Sequence, residues 1–202
     1  MRTIGFLLYP EFETLDLFGP VQMFGAVKDA FQFHMVAETS APVRSRHGQV
    51  VQVDHTFEDG HVYDLILVPG GPGTWAEIDN PAVLDWISSV SSTAQIVMSV
   101  CTGAALLAKA GVLDGRAATT NKMNFDWVAQ HGTDVAWQGR ARWVVDGKFH
   151  TSSGVTAGMD MSLAVVDHLL GTQAGEASAN HSEYLRNRDP KDDPFAIHFD
   201  VS

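Results

Sequence analysis

The sequence predicts an α/β domain in which a mainly parallel sheet is sandwiched between helices. Three observations lead there. Ile4 to Tyr9, Asp64 to Val68 and Gln95 to Val100 are short, nearly unbroken apolar runs, the pattern of strands covered on both faces. Helix-like stretches separate these runs, and strands alternating with helices imply right-handed crossovers over a parallel sheet. The third run stops abruptly at Cys101, the only cysteine in 202 residues, and continues as the Ala/Leu-rich stretch to Lys109.

In chain order, the first strand ends at Pro10, and a helix follows through Leu15, Phe18, Val21, Met23 and Phe24, with Thr14 as its expected cap and its apolar face broken at Gly19-Pro20. Phe31 to Ala37 reads as a second strand and Val50 to Asp54 as a half-buried one. Asp64 to Val68 opens into the glycine-rich Pro69-Gly70-Gly71-Pro72-Gly73, which lacks both the spacing of a dinucleotide fingerprint and a Lys-Ser/Thr pair for phosphates. Asn80-Pro81 starts a helix to about Ser91, with Leu84 and Ile87 inward. Ala117 to Thr120 reads as a strand end before a helix through Phe125, Trp127 and Val128. Val144 to Thr151 is the clearest hairpin, turned at Asp146-Gly147 and therefore antiparallel. The last helix carries Met161 to Leu170 and ends at Gly171, and the charged tail from Asn187 to Pro194 is expected to lie extended on the surface.

The whole chain, 1–202, reads as one domain: 45% hydrophobic residues suffice for one substantial core. No run approaches the roughly 18 apolar residues of a membrane span, and no signal-like leader precedes Ile4, so a cytoplasmic protein is expected. A net charge of -11 argues against nucleic acid or an anionic membrane as partner. The lone cysteine excludes an internal disulfide, and the nine histidines look scattered, without zinc-type spacing, so neither metal nor cofactor is expected.

Ligands of open α/β sheets bind beyond the carboxyl ends of the strands. Asp16, Gly70, Gly71, Cys101 and Thr102 all fall there. Cys101 reads as the residue of a nucleophile elbow, a strained strand-to-helix turn whose free N–H groups and helix dipole should lower the thiol pKa. The ordinary alternative is a small buried hydrophobe. Asp16 is either a first-turn acid facing solvent, favoured by the dipole, or an inward group that serves chemistry. Gly70 and Gly71 either form a simple turn or let backbone approach a ligand.

On Leu15-Asp-Leu-Phe-Gly-Pro20, Val68-Pro-Gly-Gly71, Ser99-Val-Cys-Thr-Gly103, Ala117-Ala-Thr-Thr120 and Gly154-Val-Thr-Ala-Gly-Met-Asp160, in that order, the chain resembles the ThiJ/PfpI superfamily, within it most the isonitrile hydratase branch. The resemblance runs from Ile4 to about Leu170. It implies a flavodoxin-like, class I glutamine-amidotransferase-like fold, a homodimer, and cofactor-independent hydration of an isonitrile to an N-substituted formamide. Cys101 would attack the terminal isonitrile carbon to give a thioimidate that water opens; Asp16 would act as acid and base, and the N–H groups of Gly71 and Thr102 as an oxyanion-type hole beside Gly70. Protease-like and glyoxalase-like members carry His after the cysteine and Glu after the first strand, where this chain has Thr102 and Asp16. Hydratase-like relatives more often have His where Asn121 stands. The rival readings are a glyoxalase- or deglycase-like cysteine hydrolase and a non-catalytic redox sensor or small-ligand module.

Overall fold

The computed structural model describes residues 1–199. Its first half runs β1 (Arg2–Leu7), α1 (Thr14–Gly25), β2 (Phe31–Ala37), β3 (Val43–Arg44), β4 (Val50–Val51), β5 (His55–Thr56), β6 (Leu65–Val68), α2 (Thr74–Glu77) and α3 (Pro81–Thr93). The second half runs β7 (Ile96–Val100), α4 (Gly103–Lys109), β8 (Ala117–Ala118), α5 (Phe125–Ala129), β9 (Ala136–Trp137), β10 (Trp143–Asp146), β11 (Phe149–Ser152), α6 (Ala157–Leu170) and α7 (Thr172–His181). Seven strands form the main sheet in the order β10-β11-β7-β6-β1-β2-β5, parallel throughout except β10. This is the expected flavodoxin-like α/β architecture.

Burial explains the apolar runs. Leu65 to Val68 and Val97, Met98 and Val100 are fully covered, because helices lie on both faces of the central strands. Ile66 pairs with Val97 on one side and Gly5 on the other, which sets β6 between β1 and β7. The carboxyl ends of three neighbouring strands therefore reach one edge together. Helix α1 packs on α6, and a Cβ at Gly19 would sit 2.8 Å from the Met159 side chain, so glycine permits the close crossing.

Several local expectations are corrected. Glu13, not Thr14, stands at the N-cap position of α1, without a side-chain capping hydrogen bond, and the helix continues through Pro20. Thr14 Oγ1 instead meets Ser45, His47 and Gln49. The stretch from Val50 to Asp54 is not one strand: Val50–Val51 pairs with β3, and the Asp54 carboxylate takes the Met35 N–H of β2, so the ladder stops before β5 joins that edge. Asp146 is the last residue of β10, and Gly147-Lys148 makes the turn with Gly147 at φ 60°, as a glycine-first hairpin requires. In α3, Ile87 is buried with Val83, Trp86 and Val90, whereas Leu84 is half-buried.

Residues 172–181 form a helix the sequence reading missed, packed on α6. The tail is not a free surface strand either. Arg142 and Trp143 donate backbone N–H groups to Pro190 O, while Arg142, 5% exposed, meets Asp160 at 2.7 Å and Asp193 at 3.5 Å. Asp160 and Asp193 are buried too, so the tail is strapped to the body by a desolvated ion cluster. Among the described residues no helix is long and apolar enough to cross a membrane.

Candidate active site

Cys101 sits between β7 and α4 with φ 57°, the left-handed region that few non-glycine residues occupy. Such a conformation costs on the order of 1–3 kcal/mol and persists only where neighbours hold it. Three contacts do so: Cys101 N–H donates to Ser152 O and Ser153 O at 3.3 and 3.2 Å, and Thr120 Oγ1 donates to Cys101 O at 2.8 Å. Thr120 comes from the loop after β8. Behind the turn, a Cβ at Gly103 would lie 2.3 Å from Val68 O, so only glycine allows α4 to start this close to β6. The elbow expected from the apolar run and the cysteine is present.

Asp16 lies inward, completely buried in the first turn of α1. The solvent-facing alternative is therefore excluded. Its Oδ2 accepts the Gly70 N–H at 2.9 Å, and among the described residues its Oδ1 has no partner at full hydrogen-bond geometry. Burial raises the carboxyl from the ordinary 3.8 to about 8; the Gly70 N–H opposes the rise, Glu13 adds to it, and the nearby Cys101 thiol and Val155 N–H oppose it more weakly. At neutral pH most Asp16 carboxyls hold a proton.

The Cys101 thiol is pushed well above its ordinary value, first by burial and then by Asp16, against the lowering pull of the Thr102 N–H. That reverses the expectation of a lowered pKa. Helix α4 is only Gly103–Lys109, and its amino end does not offset burial beside the Asp16 carboxyl. Cys101 and Asp16 form a proton-holding pair rather than a preformed thiolate.

The glycines act by close approach. A Cβ at Gly70 would lie 2.5 Å from Thr102 N and 2.9 Å from Cys101 Cβ, and one at Gly71, where φ is 126°, would lie 2.3 Å from Glu13 N. Gly71 N–H is not open to a ligand, however, because it donates to Thr102 Oγ1 at 3.0 Å. That hydroxyl also contacts Thr74 Oγ1 at 2.9 Å, which meets Tyr9 Oη at 3.2 Å, and Tyr9 donates to Pro69 O at 2.6 Å. Of the two N–H groups expected as oxyanion donors, that of Gly71 is therefore taken within the protein.

Cys101, Thr102 and Gly71 border a cavity of about 460 Å³ that also meets Glu13, Arg46, Trp75, Met123 and Val155. Asp16 and Gly70 lie beneath it rather than in its wall. Glu13 is held by Arg46 at 3.0 Å and His47 at 3.5 Å. Trp75 stacks on Trp127 with ring centroids 4.1 Å apart, which stiffens an apolar lip. Asn121 spends Oδ1 on the N–H and side-chain amide of Asn124, shaping the loop below Met123. A slightly larger cavity, about 500 Å³ between Ala117, Gln138, Trp143 and Pro190, is lined by neither the cysteine nor any carboxylate, so size alone does not locate the site.

Sequence reasoning missed Glu13, Thr120 and Val155. Val155 has φ 49°, an outlier for a β-branched residue, and its N–H reaches towards both Cys101 and Asp16. The threonine pair Thr119-Thr120 was a visible signal for a carbonyl-holding hydroxyl, whereas nothing local marked Val155.

Known proteins resemble this chain in sequence and fold. The family model described as DJ-1/PfpI matches residues 2–168. An isonitrile hydratase of Pseudomonas putida is 38% identical over 181 residues, covering 90% of this chain and 78% of that protein. The deglycase PH1704 of Pyrococcus horikoshii is 28% identical over 149 residues, 73% of this chain and 87% of the relative. Among solved structures, a ThiJ/PfpI family protein from Pseudomonas syringae superposes with a TM-score of 0.85 at 31% identity, covering 92% of this chain and 76% of the other. The chain belongs to the DJ-1/PfpI family.

Proposed function

We propose that this protein hydrates isonitriles to N-substituted formamides, with Cys101 as nucleophile and Asp16 as the proton carrier. The observation that carries the reading is the buried Cys101–Asp16 pair, in which the acid keeps its proton at neutral pH. Similarity to the Pseudomonas putida isonitrile hydratase supports it.

The terminal carbon of R–N≡C must gain a sulfur and a hydrogen. Protonated Asp16 delivers its proton to that carbon as the sulfur adds, and the thiol proton passes to the carboxylate, which leaves a thioimidate, Cys–S–CH=N–R. Thr102 N–H favours the sulfur charge that develops on the way. Water then adds to the carbon, its proton going to Asp16 while Asp16 protonates nitrogen. Collapse to the formamide breaks the carbon–sulfur bond, and the hydroxyl proton returns through Asp16 to sulfur. Substrate plus one water equals product. The apolar wall of Trp75, Met123 and Val155 suits an alkyl or aryl R group.

A Cys–His hydrolase is disfavoured because Thr102 follows the nucleophile and its hydroxyl is committed to Gly71 and Thr74. We further read the protein as a cytoplasmic homodimer, with α1 beyond Gly19-Pro20 and the 43–54 segment as candidate surfaces; a monomer mass by sedimentation at micromolar concentration would overturn that assembly. The function is tested by following formamide production from alkyl and aryl isonitriles. Sustained turnover supports the assignment. Turnover of glyoxal-type substrates with none of isonitriles would replace it.

A further inference from the structure

A second chemical cluster lies at the opposite edge of the sheet. His55 on β5, Asp59 at the end of the 3-10 turn Phe57–Asp59, and His61 just after it bring one ligand atom each to within 4.8 Å of one another. The His55 and His61 rings are 3.7 Å apart between centroids, and His34 of β2 stacks on His55 at 4.8 Å. Four strand steps separate β5 from β7, about 19 Å at the usual strand spacing, so this group is distinct from the Cys101 site.

The backbone builds the cluster. β5 pairs with β2 through Val36 and His55, which brings His34, two residues before Val36 on the same face, alongside His55. Asp59 is held by reciprocal capping with Thr56: Thr56 N–H donates to Asp59 Oδ2 at 2.7 Å, and the same oxygen stands 3.8 Å from His55 Nδ1. Gly60, at φ 65°, reverses the chain so that His61 returns towards His55.

We propose that His55, Asp59 and His61 bind a divalent cation of the zinc class. Two imidazole nitrogens and one carboxylate oxygen suit zinc, nickel, cobalt or copper, whereas magnesium and calcium prefer all-oxygen sets. Zinc ligands stand about 2.1 Å from the ion, hence roughly 3.4 Å from one another at tetrahedral angles. The present separations, up to 4.8 Å, would have to shorten on binding. An independent observation points the same way: among the described residues His34 Nε2 is buried without a hydrogen-bond partner, and a water on the ion's open fourth position is a natural one. A bound ion would tie the two-residue strand β5 to the loop that leads into β6.

The test uses tag-free Cys101→Ala protein, so that the thiol cannot serve as a ligand, stripped with a chelator and titrated with zinc against a chromophoric competitor. One ion per chain is expected, with His61→Ala and Asp59→Asn each weakening binding at least tenfold and His47→Ala leaving it unchanged. Zinc should raise the melting temperature of the parent and not of His61→Ala; both variants are on exposed residues and should fold, as circular dichroism would check. No uptake at 100 μM free zinc, on the order of the weakest useful site, overturns the proposal. So does unchanged binding in His61→Ala, or loss in His47→Ala, which would move the ion to the Glu13–His47 contact.

Discussion

Asp16→Asn separates a helix-start acid from a buried proton carrier by the sign of its effect on stability. An acid that serves only the helix dipole contributes about 0.3–1 kcal/mol, so the amide would weaken the protein slightly. The buried Asp16 predicts the reverse. Its carboxyl rises from 3.8 to about 8, and each pH unit corresponds to ~1.4 kcal/mol, so ionising it in the folded chain costs about 6 kcal/mol as a ceiling. The folded state binds this proton more tightly than the unfolded chain, so wild-type stability falls as pH rises from about 4 to about 8 and levels above that. Asn keeps the acceptor for the Gly70 N–H, has no proton to lose and carries no such slope. Urea denaturation at pH 5, 7 and 8 should show the variant more stable, by ~1 to 4 kcal/mol at pH 8, with the gap widening as pH rises. Formamide production should meanwhile fall at least ~100-fold in kcat, the scale of a lost general acid or base. A variant less stable than wild type at all three pH values, or one within tenfold of its kcat, would refute the proton-carrier reasoning.

Cys101→Ala should fold and lose essentially all turnover, and iodoacetamide should label wild-type Cys101 more slowly than a free thiol at pH 7, accelerating as pH rises; rapid labelling at neutral pH would restore a preformed thiolate. Thr120→Val removes the hydroxyl that holds the Cys101 carbonyl, and should cost about 1–2 kcal/mol in denaturation and lower kcat without abolishing expression. Gly71→Ala sets a side chain at φ 126° against Glu13 N, and thermal melts should show a loss well over about 1 kcal/mol. Arg142→Leu leaves buried Asp160 and Asp193 without their cation, so a loss of about 3–5 kcal/mol is expected, with earlier proteolysis of the tail.

The central strands and the elbow were legible because both depend on local pattern. Unbroken apolar runs mark strands buried on two faces, and a cysteine at a strand-to-helix junction marks the turn, whatever the rest of the chain does. Convergence of Asp16, Gly70 and Cys101 also followed, since parallel strands send their carboxyl ends to one edge. Polarity within that site was not legible: whether Cys101 is a thiol or thiolate depends on total desolvation and on Asp16 lying beneath it, and both are set by helices far apart in sequence. The same holds for Gly71, whose N–H is claimed by Thr102 across 31 residues. The tail looked free because its charges are unpaired in sequence; Arg142 meets Asp193 only after β10 has joined the sheet. Histidines at 34, 55 and 61 likewise looked scattered. Sequence spacing fixes neighbours along a strand or a helix turn, but pairing β5 against β2 decides which side chains share a surface, and that pairing is a property of the whole packed sheet.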